Sequence, residues 1–302
     1  MSWQILYISN PAMLTLKNRQ LKYQSLETDE VLTFPIEDVS VIVLEHKQVT
    51  LTHALLSACM EGKVVLFTCD DKHIPNGALF PFASHSRYAL HSKIQLQASE
   101  PFKKKLWQQI IKQKIFNQAT VLSFYKKEGA KPLFEMAKQV KSGDPDNLEG
   151  YAARIYWDAI FKNFSRRDNT IHNAALDYGY AIVRGVLARA IAGSGLLPAV
   201  GLHHDNQLNN YNLADDLIEP FRPFVDALVL QMKFEKDALQ PKEKQTLVLL
   251  LTRNCLMNDE EITILKAVEY VVQSLMKSFE NKDASYLKLP TFKFHKSVTK
   301  KG

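Results

Sequence analysis

Cysteine is scarce in this sequence of 302 residues. Only Cys59, Cys69 and Cys255 occur, odd in number, far apart and without a CxxC pair. That excludes a disulfide framework and a thiolate zinc knot, and it points to a reducing cytosol. Long apolar runs are missing too. The most apolar late segment, AIVRGVLARAIAGSGLLPAVGL, is interrupted by Arg184 and Arg189 and makes no credible membrane span. The start, MSWQILYISN, lacks the basic region and apolar stretch of a signal peptide. A soluble, cytoplasmic protein with no membrane partner is expected. No GxxxxGK[ST] and no HExxH occurs, so neither a nucleotide triphosphatase nor a zincin is supported, and GxSxG is absent as well. There is no fixed-period repeat and no low-complexity tract.

What is present is a globular composition, 46% apolar and 23% charged, with a net charge of +6. The charge is uneven. Residues 1 to 90 carry 7 Lys+Arg against 9 Asp+Glu, a net of −2, and residues 91 to 142 carry 11 lysines against 3 glutamates, a net of +8. The remaining 160 residues hold 20 bases and 20 acids. A helix-forming stretch with Lys103, Lys104, Lys105, Lys112, Lys114, Lys126 and Lys127 is what a polyanion-binding face looks like, although a merely solvated helix face has the same signature. The basic C-terminal KFHKSVTKKG is a weaker signal of the same kind.

The pattern of apolar residues changes near residue 90. Before it, WQILYIS, AMLTLKNRQLKYQS, VLTF, DVSVIVL and KVVLFTC alternate as half-buried strands do, with Lys17-Asn18-Arg19-Gln20 as a hairpin connection. One helix is expected from about Leu51 to Glu61, with Thr50 or Thr52 as cap and Gly62 as its end. IPNGALFPF reads as a turn leading out of the sheet. After it, helical spacing is expected over about 102–127, 131–141, 147–164, 170–192, 212–231, 241–257 and 259–281. The expected fold is α+β: a small β-rich N-terminal domain, residues 1–90, then a larger all-helical domain, residues 91–302.

Two stretches carry candidate chemistry. In GLHHDNQLNNYNLADDLIEPFRP, residues 201–223, two histidines follow a glycine, and Asp205, Asp215, Asp216 and Glu219 precede a proline. Imidazole and carboxylate are the ligands that hard and borderline divalent metals accept. A helix starting near Asn212 would put Asp216 and Glu219 on one face and turn Asp215 away, and Pro220 should kink or tighten it there. In DPDNLEGYAARIYWDAIF, residues 144–161, Glu149 lies three residues after Asp146, the spacing of a capping box, yet it also borders the buried stripe of Ala153, Tyr156 and Ile160. Cap and metal ligand both remain open on spacing alone. The His204-Asp205 doublet, with His172 upstream and Asp216 or Asp226 downstream, also fits an HD-type metal-dependent phosphohydrolase. A third reading is a non-catalytic helical DNA-binding scaffold in which Glu149 caps, His204 packs and only the lysines matter.

Taken in order, LEGYAARIYW around Glu149, NAALDYGYAIVRGVLARAI from Asn173, PAVGLHH ending at His204 and LADDLIEPFRPFVD around Glu219 resemble the CRISPR-associated spacer-acquisition integrases over nearly the whole chain. LWQQIIKQKIFNQA at 106–119 and YLKLP at 286–290 are similar to the type II branch. The resemblance implies an integrase and endonuclease that uses Mg²⁺ or Mn²⁺ and directs a DNA 3′-hydroxyl at a phosphodiester. Its implied ligands are Glu149, His204 and Glu219, with Pro198 and Gly201 leading into His204 and with Asp216 as a nearby second acid. Candidate DNA contacts are Lys103, Lys104, Lys105, Lys112 and Arg184. The implied partners are double-stranded DNA, a second copy of the chain paired through the β-rich domain, and a small ferredoxin-like second adaptation protein bridging two dimers. The type II branch further implies a ring-forming adaptation factor and an RNA-guided effector nuclease.

Overall fold

The computed structural model describes residues 4–71, 73–79, 81, 85–161 and 165–292. The basic stretch KFHKSVTKKG therefore lies outside the described residues. The N-terminal part forms two four-stranded sheets from β1 (Gln4–Ile8), β2 (Ala12–Lys17), β3 (Gln20–Ser25), β4 (Val31–Pro35), β5 (Val39–Leu44), β6 (Val49–Leu51), β7 (Val65–Cys69) and β8 (Pro75–Leu79). One sheet runs β1-β5-β7-β8 and the other β4-β3-β2-β6. The β2–β3 hairpin turns at Asn18 and Arg19, both with positive φ, as a two-residue turn matched to strand twist requires. Helix α1 (His53–Glu61) starts at Thr52, whose hydroxyl accepts from the Leu55 amide. Within IPNGALFPF, Pro75–Leu79 is corrected from a turn to an edge strand, because β8 pairs antiparallel with β7 and Pro75 stands first, where no ladder donor is needed; Phe80 and Phe82 lie outside the described residues.

Strand β5 is buried along nearly its whole length, since the two faces of its sheet serve two different cores. Ile42 and Leu66 point toward Leu14, Leu21 and Leu55, a core internal to the β-rich part. Val41, Val43, Val65 and Phe67 point the other way and join the core of the helices. The approach there is close enough that a Cβ added to Gly185 would fall 2.0 Å from the Phe67 ring, so only glycine fits.

The helices are α2 (Tyr88–Leu96), α3 (Glu100–Phe124), α4 (Ala130–Gln139), α5 (Leu148–Ile160), α6 (Ile171–Gly193), α7 (Asn212–Leu217), α8 (Arg222–Gln231), α9 (Pro241–Val248) and α10 (Ile264–Asn281). The expected helix over 212–231 is interrupted by a 3-10 turn at Glu219–Phe221, where Pro220 has no amide to donate. The expected helices over 241–257 and 259–281 need correction. A short hairpin of β9 (Asn254–Met257) and β10 (Glu260–Thr263) separates α9 from α10. Asn258 and Asp259 both take positive φ and close it with a two-residue turn. Among the described residues, no helix is long and apolar enough to cross a membrane.

Candidate active site

Helix α3 organises the site. Trp107 and Lys114 are seven residues apart, two turns along one face, so their Cα atoms are separated by about 10 Å on that face. The Trp107 indole is buried and meets the loop after α6: the His203 ring stacks on it at 4.3 Å and the His204 ring meets it edge-on at 5.8 Å. Lys114, only 8% exposed, reaches two acids from different elements. Its ammonium lies 2.5 Å from Glu149 Oε1 and 2.5 Å from Glu219 Oε2. Asn117, one turn on, donates to the carbonyls of Pro220 (2.8 Å) and Pro290 (3.0 Å), which fixes the acidic 3-10 turn against α3.

Glu149 is free of capping duty. The cap of α5 is Asn147, whose side chain accepts from the Gly150 amide, while the Asp144 carboxylate accepts from the amides of Leu148 and Glu149. Asp146, the expected capping partner, pairs instead with Lys141. The first-turn carboxylate of Glu149 is therefore directed at a side chain, not at its own helix end.

Glu219 is nearly fully buried between two cations. Arg222 Nε donates to its Oε1 at 2.8 Å, and Lys114 faces its Oε2. The Lys114 ammonium lies 2.5 Å from Oε2, a short charge-assisted contact, so each oxygen of the carboxylate faces its own cation. Burial opposes ionisation of Glu219, but the Lys114 and Arg222 charges outweigh it and hold its pKa down at about 2. Arg222 also lies 4.6 Å over the Tyr180 ring, and the Tyr180 hydroxyl donates to buried Asp226. Burial raises the Asp226 pKa to about 7.

Asp216 is not aimed at a common centre with Glu219. Its fully buried carboxylate accepts from the amides of Leu202 (2.5 Å), His203 (3.2 Å) and His204 (3.1 Å) and pairs with His204 Nδ1 at 2.7 Å. Gly201 makes this possible, since a Cβ there would fall 2.3 Å from the His204 carbonyl and 2.8 Å from the Asp216 carboxylate. With Nδ1 given to a carboxylate, Nε2 becomes the lone-pair nitrogen of His204, the arrangement that orients metal-binding histidines. The hydrogen bond to Asp216, helped by the nearby acids, raises the His204 pKa against a partial burial that lowers it.

Other candidates fall elsewhere. Arg184 is engaged by Asp215 through Nε at 2.5 Å and a second nitrogen at 3.0 Å, and it covers the Tyr211 ring. Lys103 pairs with Glu100 at 3.0 Å; Lys104 and Lys105 are exposed and Lys112 half-buried. His172 packs edge-on against Phe161 and Phe234, and Asp205 sits in an exposed loop, so the phosphohydrolase constellation is not assembled. The residues that sequence reasoning missed are Lys114, counted there as part of a basic face, and Arg222. The available signal was the seven-residue spacing of Lys114 from Trp107 on an apolar stripe.

Among the described residues, no three His, Cys, Asp or Glu side chains lie close enough together to hold a metal as they stand. The donor chemistry nonetheless fits a hard divalent ion. Two carboxylates from different elements share one cation, and an imidazole oriented by Asp216 meets the same helix α3 at Trp107.

This chain is similar to known proteins along nearly its whole length. The family model for CRISPR associated protein Cas1 matches residues 6–269. A CRISPR-associated endonuclease Cas1 of Neisseria meningitidis serogroup C is 41% identical over 295 residues, covering 96% of each chain. Among solved structures, a casposase bound to integration product aligns with a TM-score of 0.75 at 20% identity, covering 94% of this chain and 93% of that one. A Cas6-RT-Cas1–Cas2 complex aligns with a TM-score of 0.71 at 19% identity, covering 95% of this chain and 36% of the larger one. With its motifs in order and a family match over most of its length, the chain belongs to the Cas1 family of CRISPR-associated proteins.

Proposed function

We propose that this chain is a CRISPR adaptation integrase and endonuclease that directs a DNA 3′-hydroxyl at a phosphodiester with the help of Mg²⁺ or Mn²⁺. The observation that carries the reading is the pair of carboxylates, Glu149 and Glu219, brought from separate elements onto one buried cation. His204 completes the proposed ligand set through Nε2, and Asp216 acts on it from behind. When bound, the ion supplies charge stabilisation for the non-bridging, attacking and leaving oxygens of the phosphodiester. The chain's own share is to hold Glu219 ionised through Arg222, to fix the imidazole through Asp216, and to clamp the acidic turn through Asn117. The exposed Lys104 and Lys105, on the same helix as Lys114, are the proposed backbone contacts. Arg184 is the weaker candidate, because Asp215 already occupies its guanidinium.

One assay tests the reading. Incubated with a short labelled duplex, a supercoiled plasmid and Mn²⁺, the protein should produce integrated product, and a chelator should abolish it. In the same set-up, Lys104→Ala with Lys105→Ala should weaken duplex binding irrespective of sequence and reduce its salt slope by roughly 0.9 for each phosphate that the protein no longer neutralises. Integration that survives chelation would sink the metal-dependent mechanism.

The family partners follow as proposals. A small second adaptation protein, the counterpart of Cas2 in the complex above, is the proposed bridge between two dimers of this chain. Pairing of two copies through residues 1–90 is supported by strand β4. It is an edge of its sheet and leaves Val31 and Leu32 substantially exposed. Leu32→Lys should shift the protein toward monomer in sedimentation; an unchanged dimer would place the interface elsewhere.

A further inference from the structure

We infer that Lys114 is an internal counter-cation that a divalent metal must displace from Glu149 and Glu219, so that this one side chain sets the metal concentration at which the site loads. The inference rests on the metal-site reading above and adds a component to it. Four charged groups meet at this point: Glu149 and Glu219 against Lys114 and Arg222. The quartet is neutral without any metal. Two carboxylates, buried Glu219 and half-buried Glu149, placed on either side of one ammonium would repel without it, and Lys114 relieves that repulsion in the metal-free protein.

The two cations are not equivalent. Arg222 makes an aligned hydrogen bond from Nε to Glu219 Oε1, and its guanidinium lies over the Tyr180 ring, so it is held on two sides. Lys114 instead divides a single ammonium between Glu149 Oε1 and Glu219 Oε2, at the tip of a flexible four-carbon stem. What is fixed at Lys114 is its backbone, because Asn117 ties α3 to Pro220 and Pro290, and Trp107 ties it to the histidine loop. The anchored helix with a movable ammonium describes an exchangeable group. Its departure would free Glu149 Oε1 and Glu219 Oε2 while Arg222 keeps the other oxygen of Glu219 occupied. Bringing a divalent ion to a neutral quartet adds two positive charges, and withdrawing Lys114 offsets one of them.

The test is thermal melting of the full-length protein titrated with Mn²⁺ alone, no DNA present, for the wild type, Lys114→Met and Glu149→Gln. Lys114→Met should melt lower without metal, since it leaves Glu149 without its cation and Glu219 with Arg222 alone. It should reach half of its metal-induced rise at about tenfold lower Mn²⁺, because a unit charge in direct competition with the ion has been removed. Glu149→Gln should lose the metal-induced rise. If Lys114→Met does not fold, Lys114→Gln, which removes the charge and retains an amide donor, should show the same tightening. A half-saturating concentration in either variant equal to or above the wild-type value overturns the inference while leaving the metal site intact. A rise of equal size in wild type and Glu149→Gln, or none in wild type, overturns the metal-site reading itself and the inference with it.

Discussion

Glu149→Gln and His204→Ala should each reduce Mn²⁺-dependent plasmid integration by at least about a hundredfold, the scale on which even groups supporting a metal ligand are felt. Both should leave the protein folded. The cap of α5 belongs to Asn147 and Asp144, so a glutamine at 149 disturbs no helix end. Lys114 keeps Glu219 as a partner in that variant. Glu219→Gln is a poorer test despite the same expected loss. It would leave two cations, Lys114 and Arg222, without their shared carboxylate inside the protein, a defect of about 3–5 kcal/mol, and inactivity could then reflect unfolding. His203→Ala supplies the contrast: its ring stacks on Trp107 and supports the loop, so most activity should remain. Measured integration and melting temperature decide the matter together, and full activity in Glu149→Gln or His204→Ala would remove the proposed site.

The largest loss of stability is expected at Asp216, not at any proposed ligand. Its carboxylate is the acceptor for three consecutive backbone amides as well as for the His204 ring. Asp216→Ala leaves the buried Leu202 amide without its acceptor and the part-buried His203 and His204 donors with water at best, at about 1–3 kcal/mol for each group left unsatisfied, which together should lower the melting temperature by on the order of 10 °C. Asp216→Asn retains one acceptor and should fall between. The pH dependence follows from the raised His204 pKa, whose largest cause is that hydrogen bond. Protonated His204 stabilises the fold below its ordinary titration range, and this contribution is lost as pH rises through the raised value. The neutral imidazole needed for metal binding appears over the same rise. In Asp216→Asn the cause is weakened, so Mn²⁺-induced stabilisation should set in at lower pH. An onset at the same pH as wild type would contradict the proposed coupling.

Much of this was legible in the sequence, because patterning and punctuation are local. Alternation marked the β-rich part, the Asn18-Arg19 turn fixed its first hairpin, and Pro220 marked the break between α7 and α8. What escaped depends on facing and on distant partners. A count of charges cannot tell that Lys114 points inward while Lys104 and Lys105 on the same helix face the solvent. Arg184 and Asp215 are 31 positions apart, and nothing local announces that the second neutralises the first. At residues 144–147, Asp, Pro, Asp and Asn offer three caps in four positions, and spacing to Glu149 selected Asp146 where the backbone selected Asn147. The β9–β10 hairpin was hidden because Leu247 to Leu251 continues a helical pattern up to its edge, although Asn258-Asp259 is a turn signal in its own right.

The shared core bears on how such a chain emerges from the ribosome. Strands β1 to β8 are complete by residue 79, yet Val41, Val43, Val65 and Phe67 are covered by helices that include α6, which begins at Ile171. At ordinary synthesis rates of about 5–20 residues per second, roughly 5 to 20 seconds separate the sheet from its cover. During that interval an apolar sheet face stands open to chaperones, proteases or the same face of a neighbouring nascent chain. Limited proteolysis of stalled chains would register the wait as cleavage near Phe67 that stops once α6 has cleared the exit tunnel.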